Sequence, residues 1–137
     1  MNILLDTCVF LWIIADKRDK LSSSALEVYK NTENDIYLSA VSSWEILIKT
    51  NTGKLTLTES PAQRLPAEIK RTGCQQLPVY HSHALELSSL PHLHSDPFDR
   101  ILVCQAKCED LVLLTPDTAI HEYDVKTLWR LPHNTSR

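Results

Sequence analysis

Ile3-Leu4-Leu5-Asp6 opens the chain as an apolar run that ends in a carboxylate, and Leu111-Val112-Leu113-Leu114-Thr115-Pro116-Asp117 repeats that pattern near the close. Each run has the length and apolar character of a buried strand. Strand-like and helix-like segments alternate between them. That order predicts an α/β fold in which helices cover both faces of a parallel sheet. Ligands of such folds bind beyond the carboxyl ends of the strands, where we expect Asp6 and Asp117.

The remaining elements follow from apolar periodicity and from capping residues. Predicted strands cover residues 2–5, 36–38, 76–79, 111–114 and 125–129. The first predicted helices run through 10–14, from a cap at Ser22 or Ser23 through Tyr29, and from Ser39 or Ser42 to about Thr50. A fourth runs from Pro61 to Arg71 and is closed by Gly73. The last two run through 84–87 and from Asp96-Pro97 to about Cys108. A loop is expected at 91–95 and a loose tail from Pro132.

Length and composition limit the class of protein. With 137 residues, of which 43% are hydrophobic, the chain is expected to form one domain, residues 1–137. No stretch is long enough to span a bilayer and no signal peptide is evident, which predicts a cytoplasmic protein. A net charge of −3 argues against coating nucleic acid by bulk charge. The two glycines exclude a dinucleotide-binding turn and a P-loop.

Four acids form the candidate catalytic and metal-binding set. Asp6 and Asp117 end the two apolar runs, while Glu45 and Asp99 lie on predicted helices between them. Gathered carboxylates repel one another and rise in pKa unless a cation binds them. Oxygen ligands suit one or two Mg²⁺ or Mn²⁺ ions, and such metals suit phosphodiester hydrolysis. The hypothesis is therefore metal-assisted hydrolysis without a covalent nucleophile.

Each acid also has a structural interpretation. Asp6, Asp96 and Asp117 can each serve as the N-cap of a helix. Glu45 can form an i,i+4 pair with Lys49. Asp99 falls in the first turn of its helix, where the dipole favours a carboxylate.

Helical geometry predicts where the neighbouring side chains lie. Glu45 is about 40° from Val41 on a helical wheel, at the edge of an apolar arc completed by Trp44, Leu47 and Ile48. Gln105 projects from an apolar arc and is expected to have a buried structural partner. Thr115 is interpreted as a turn residue, with a hydrogen bond to a metal-bound water or to a neighbouring carboxylate as the alternative. The cysteines, including Cys104 and Cys108, are interpreted as small buried hydrophobes and not as a zinc site.

The chain resembles PIN-domain ribonucleases and, within them, VapC-type toxins of bacterial toxin–antitoxin pairs. The resemblance is carried by Asp-Pro-Phe-Asp-Arg at 96–100, which is its most specific element, and by Leu4-Leu5-Asp6-Thr7, Leu38–Ile46 and Leu113–Asp117. It implies a three-layer α/β/α fold and an endonuclease that cleaves RNA with Mg²⁺ or Mn²⁺. The family's acidic positions fall on Asp6, Glu45, Asp99 and Asp117, with Asp96 as a frequent additional acid.

The resemblance also implies a homodimer and a small cognate antitoxin. Two positions depart from the common pattern: Ser95 replaces a frequent basic residue, and Cys8 replaces a frequent histidine. Arg100, Lys49 and His94 are candidates for binding RNA. Two alternatives remain open at this point, namely a phosphatase with Asp6 as nucleophile and a catalytically silent domain that acts by binding a partner. The phosphatase pattern requires a second aspartate where Cys8 lies.

Overall fold

The structure, a computed structural model, describes residues 1–130. Its centre is a five-stranded parallel sheet with the strand order β3-β2-β1-β4-β5. The central position of β1 brings its carboxyl end beside that of β4, because Ile3, Leu4 and Leu5 are in register with Val112, Leu113 and Leu114. The strands are β1 (Asn2–Leu5), β2 (Asp35–Ser39), β3 (Gln75–Leu77), β4 (Val112–Leu114) and β5 (Thr127–Leu128).

Helices alternate with the strands along the described part of the chain. They are α1 (Thr7–Ile14), α2 (Ser23–Lys30), α3 (Ala40–Asn51), α4 (Pro61–Thr72), α5 (His81–Glu86) and α6 (Pro97–Glu109). The longest of these, α6, has 13 residues, and no helix within residues 1–130 is long and apolar enough to cross a membrane.

Two apolar clusters lie on opposite faces of the sheet. Ile3 and Leu5 point into one cluster and Leu4 into the other, as expected from the alternation of side chains along a strand. Helices α1, α2 and α4 contribute to the first cluster, and α6 contributes to the second. Ile3, Leu4 and Leu5 are all fully buried. The predicted three-layer α/β/α fold with a central parallel sheet is therefore confirmed.

The predicted N-caps of three helices are confirmed. The side chains of Ser22, Ser39 and Asp96 accept hydrogen bonds from backbone N–H groups at the starts of α2, α3 and α6. Gly73 ends α4 with a φ of 74°, a left-handed conformation that favours glycine.

Three predicted elements differ from the structure. Strand β3 begins at Gln75 and ends before Pro78, which has no N–H to contribute to a ladder. Strand β5 covers only 127–128 rather than 125–129, because only these residues pair with β4. The helix expected after Asp117 is a single 3₁₀ turn at Ile120–Glu122. The predicted loose tail from Pro132 lies outside the described residues.

Candidate metal centre

The carboxyl edge of the sheet gathers the acid-bearing elements. Asp6 directly follows β1, and its backbone N–H donates to the carbonyl of Leu114 at the end of β4 (3.1 Å). Asp117 lies three residues beyond β4. Glu45 is on α3, which begins where β2 ends, and Asp99 is in the first turn of α6. Parallel topology therefore brings residues from both ends of the chain to one edge.

Asp6 is both a helix cap and a buried acid. Only 5% of the residue is exposed. Its Oδ1 accepts from the backbone N–H of Thr7 (2.7 Å), and its Oδ2 accepts from the hydroxyl of Thr115 (2.6 Å). Burial raises the pKa of Asp6, the two hydrogen bonds oppose that rise, and the charges of Glu45 and Asp117 add to it. Thr115 therefore has both roles predicted for it: its hydroxyl stabilises the ionised form of Asp6, and it also accepts from the backbone N–H of Asp117 (3.1 Å) in the turn after β4.

Glu45 lies deeper than predicted. The residue is 6% exposed and shares the buried face of α3 with Val41, Ser42 and Ile46. Its Oε2 pairs with the Lys49 ammonium at 3.0 Å, as predicted. Its other oxygen, Oε1, is buried without a hydrogen-bond partner among residues 1–130. A buried carboxylate oxygen without a donor is costly, so this atom is suited to binding a positively charged ligand.

Three members of the predicted apolar arc of α3 do not face the core, whereas the fourth, Val41, does. Trp44, Leu47 and Ile48 are exposed, and Trp44 is 59% accessible. Trp44 contacts the ring of Phe98 edge-on. An apolar arc shows that a helix has a non-polar surface, but it does not say whether that surface meets the core. The face turned toward the sheet and α1 is the one that carries Glu45.

Asp99 has the most strongly altered acidity of the set. Burial raises its pKa to about 7, and the charges of Asp6, Asp96 and Glu45 add to the effect, while His94 opposes it. The nearby Asp96 caps α6, because its Oδ1 accepts from the N–H groups of Phe98 (2.8 Å) and Asp99 (3.4 Å). The structural interpretation of Asp96 is therefore confirmed. Asp99 therefore binds a proton far more readily than an exposed carboxylate does.

His94 lies inside the carboxylate group. Its Nε2 is 2.9 Å from Oδ2 of Asp117 and 3.1 Å from Oδ2 of Asp99. One ligand atom from each of these three residues falls within 4.8 Å of the others. The Oδ1 of Asp117 accepts from the backbone N–H of Ala119 (2.9 Å), but the 3₁₀ turn that follows has Ala119 as its N-cap, so Asp117 is not the N-cap that was predicted. Sequence reasoning considered His94 only for RNA binding and missed this position.

Two hydrogen bonds between side chains, each donated by a hydroxyl group, link the helices that carry the acids. Thr7, next to Asp6, donates to Ser42 (2.8 Å), which precedes Glu45 by one helical turn. Ser39, the N-cap of α3, donates to Gln105 of α6 (2.6 Å). Gln105 is fully buried, as its predicted structural role requires. The first pair was missed, although both hydroxyls stand at short helical spacing from predicted site residues.

The other candidate residues have contacts that limit their roles. Arg100 donates to the carbonyl of Pro91 (2.9 Å) and to the hydroxyl of Tyr123 (3.2 Å), so it ties the 91–95 loop to the body of the protein. Lys49 pairs with Glu45: partial burial lowers the pKa of this lysine, but the carboxylate outweighs burial and the pKa is raised. RNA binding by Arg100 or Lys49 stays a prediction.

The cysteines give little support to a soft-metal site. Cys8 lies beside Asp6, with Sγ 3.7 Å from Oδ2. Burial raises the pKa of this thiol, and the charge of Asp6 raises it further, so the thiolate that soft metals require is disfavoured. Cys104 is buried as predicted. Cys108 is exposed, which corrects the prediction that it is a buried hydrophobe, because it lies where α6 leaves the core.

The donor set fits a hard divalent cation. Asp6, Glu45 and Asp99 supply carboxylate oxygens, two of them with raised pKa and one with an unpartnered oxygen. Raised pKa values and an unpartnered carboxylate oxygen are the features expected of a group of carboxylates that is arranged to bind a divalent cation. Among residues 1–130, the ligand atoms that lie within 4.8 Å of one another belong to His94, Asp99 and Asp117, whereas Asp6 and Glu45 are connected to Asp99 by the effect of their charges on its pKa.

Comparison with known proteins agrees with this architecture. The protein-family model for the PIN domain matches residues 3–126. Structurally similar chains include VapBC2 from Rickettsia felis bound to a promoter DNA fragment (TM-score 0.69, 16% identity, 93% of this chain and 98% of that chain). FitAcB from Neisseria gonorrhoeae is similar with a TM-score of 0.60 and 22% identity, over 94% of this chain and 99% of that chain. At these identities the likeness shows a shared fold.

Sequence similarity extends to a curated protein as well. Ribonuclease VapC16 of Mycobacterium tuberculosis is 39% identical over 56 residues, which is 41% of this chain and 40% of the length of that relative. The match is therefore partial, whereas the family model covers almost the whole described chain. With the parallel sheet and the gathered acids, that coverage shows that the chain belongs to the PIN domain family.

Proposed function

We propose that this protein is a Mg²⁺- or Mn²⁺-dependent endoribonuclease that hydrolyses RNA phosphodiesters. The observation that carries the proposal is the buried Oε1 of Glu45, unpartnered among the described residues, in a group where burial and mutual repulsion also raise the pKa of Asp6 and Asp99. Such an arrangement is unfavourable without a cation. The partial match to a protein named as a ribonuclease supports RNA as the substrate.

Four side chains would hold the cation, namely Asp6, Glu45, Asp99 and Asp117. When bound, one or two such ions supply an activated water and neutralise charge on the scissile phosphate. Side chains of the protein position and ionise these ligands. Thr115 keeps Asp6 ionised through a 2.6 Å hydrogen bond. Lys49 orients Glu45 by holding Oε2, so that Oε1 stays available.

We propose further that the protein is the toxin of a type II toxin–antitoxin pair, that it forms a homodimer, and that a small cognate antitoxin inhibits it. These proposals rest on the family resemblance and on fold neighbours such as VapBC2 and FitAcB. Co-expression with the adjoining small open reading frame tests the antitoxin. A stable complex with lost nuclease activity is the expected result, and light scattering of the purified chain tests the dimer.

Cleavage of RNA tests the nuclease proposal directly. Purified protein is incubated with RNA in Mg²⁺, in Mn²⁺ and in EDTA, next to Asp6→Asn and Asp99→Asn. Asp19→Asn is the control, because Asp19 is exposed and far from the site in sequence. We expect cleavage only with metal, loss in the two site variants and normal activity in the control. Persistent cleavage in EDTA contradicts the proposal, and metal binding without any cleavage favours the catalytically silent alternative.

A further inference from the structure

The contacts of His94 show which ring nitrogen carries its proton. The backbone N–H of Asp96 donates to Nδ1 of His94 at 3.1 Å. A ring nitrogen that accepts a hydrogen bond has no proton of its own, and neutral imidazole has one N–H. The proton of neutral His94 therefore lies on Nε2, the atom that faces the carboxylates.

That tautomer decides what His94 can do in the site. A histidine binds a metal through the lone pair of an unprotonated nitrogen. Because Nδ1 is engaged by Asp96, Nε2 keeps its proton and acts as a hydrogen-bond donor. It donates to Oδ2 of Asp117 at 2.9 Å, while Oδ2 of Asp99 lies 3.1 Å from the same nitrogen without forming a hydrogen bond to it.

The loop that carries His94 is held independently of these contacts. The N–H of Leu93 donates to the hydroxyl of Tyr123 at 3.2 Å, and Arg100 donates to that hydroxyl and to the carbonyl of Pro91. Tyr123 is buried. The ring of His94 is thus placed by the loop and by the Asp96 amide before any ligand arrives.

We propose that His94 is a positioning residue of the metal site: its Nε2–H donates to Asp117 in the loop after β4 and holds that carboxylate beside Asp99 of α6, and the Asp96 amide fixes the tautomer that makes this possible. The inference rests on the proposed function, because it concerns the site at which the cation binds. Without this donor the two carboxylates repel each other. The Ala119 N–H would then hold Asp117 through Oδ1 alone.

Mn²⁺ binding, followed by electron paramagnetic resonance of the free ion, tests this role in four full-length proteins. These are the wild type, His94→Ala, His94→Gln and His92→Ala. Glutamine can present an amide N–H near the position of Nε2, and His92 is an exposed histidine of the same loop. We expect His94→Ala to bind Mn²⁺ about 10- to 100-fold more weakly, as for other residues that orient metal ligands, while His94→Gln restores most of the affinity. His92→Ala should match the wild type.

Two spectroscopic readouts separate positioning from ligation and from a general effect on folding. Electron spin-echo modulation of the bound Mn²⁺ should show no directly coordinated nitrogen in the wild type. Nitrogen NMR of the metal-free protein should show neutral His94 with its proton on Nε2. Thermal unfolding of each variant identifies any loss of folded protein.

The outcomes are distinct. A nitrogen signal that disappears in His94→Ala, a proton on Nδ1, or a His94→Ala variant that binds Mn²⁺ as tightly as the wild type overturns the positioning role and leaves the proposed function intact. Equal weakening in His94→Ala and His94→Gln also overturns it, since an N–H donor would then not suffice. A wild type that binds no Mn²⁺ overturns the proposed function, and the positioning role with it.

Discussion

Replacing Asp99 with asparagine should make the metal-free protein more stable, although the same change removes a proposed metal ligand. Burial and the charges of Asp6 and Asp96 hold the pKa of Asp99 at about 7 instead of the usual 3.8. Above neutral pH, this difference between the folded and unfolded pKa of Asp99 means that the ionised side chain lowers the free energy of unfolding by about 4 kcal/mol. Asparagine has nearly the same shape and has no charge to bury.

The expected net gain is smaller than that figure. The attraction of His94 is already included in the pKa of Asp99, so asparagine additionally gives up only the favourable position of a charge in the first turn of α6, worth about 0.3–1 kcal/mol. We therefore expect Asp99→Asn to raise the free energy of unfolding by about 3 kcal/mol at pH 8 in EDTA. The sign depends on pH. Because the folded pKa is raised, the penalty is absent below about pH 4, grows as pH rises to about 7 and is constant above that.

Urea unfolding followed by circular dichroism measures the effect. Wild type, Asp99→Asn and the exposed control Asp19→Asn are compared in EDTA between pH 4.5 and 8, and then at pH 8 with millimolar Mg²⁺. Added Mg²⁺ should stabilise the wild type and the control but have little effect on Asp99→Asn, because a ligand stabilises only the folded form that binds it. The reasoning fails if Asp99→Asn is less stable than the wild type in EDTA at pH 8, or if the difference does not change with pH.

Three further expectations follow from the same contacts. Mn²⁺ affinity, measured by titration, should fall up to about tenfold for each pH unit below 7, because the cation must displace the proton of Asp99; a flat profile would contradict this. Thr115→Val should weaken Mn²⁺ binding about tenfold or more by removing the donor to Asp6, while Thr115→Ser retains it; equal affinities would count against that role. Ser42→Ala should lower the free energy of unfolding by about 1–2 kcal/mol, measured by urea unfolding, because the Thr7 hydroxyl loses its buried acceptor. The double variant Ser42→Ala with Thr7→Val should be destabilised by less than the sum of the two single variants, because both changes remove the same hydrogen bond.

Local chemistry made much of the fold predictable. Ser22 and Asp96 are strong N-caps, and each accepts the backbone hydrogen bonds expected of it. Within the strand at 2–5, Ile3, Leu4 and Leu5 form an uninterrupted buried apolar run, as strands covered on both faces do. These signals lie within a few residues of the elements they define, so no knowledge of distant parts of the chain was needed.

The orientation of α3 was not predictable from its own residues. Its apolar residues Trp44, Leu47 and Ile48 outnumber the apolar residues on the opposite face, yet they are exposed. The buried face is defined by partners elsewhere, including the hydroxyl of Thr7, which bonds to Ser42 across 35 positions of sequence. The helical periodicity of α3 contains no information about such contacts. For that reason Glu45 was predicted to lie at the edge of the core, whereas it lies within it.

The role of His94 shows a different limit. It depends on the path of the loop from Pro91 to Ser95, which Tyr123 and Arg100 hold in place. A histidine in a polar loop has many possible partners, and its sequence neighbours do not select among them. The acids, by contrast, could be assembled from sequence because strand ends and helix starts in a parallel α/β fold share one edge of the sheet.

The most direct test of the central claim is a crystal structure of the protein grown with Mn²⁺, in which the ion is located by its anomalous scattering. We predict a peak in contact with Asp6, Asp99 and the free Oε1 of Glu45. An anomalous map without a peak among these oxygens at millimolar Mn²⁺, or with Glu45 Oε1 turned to another partner, would contradict the claim that they are arranged to bind a divalent cation.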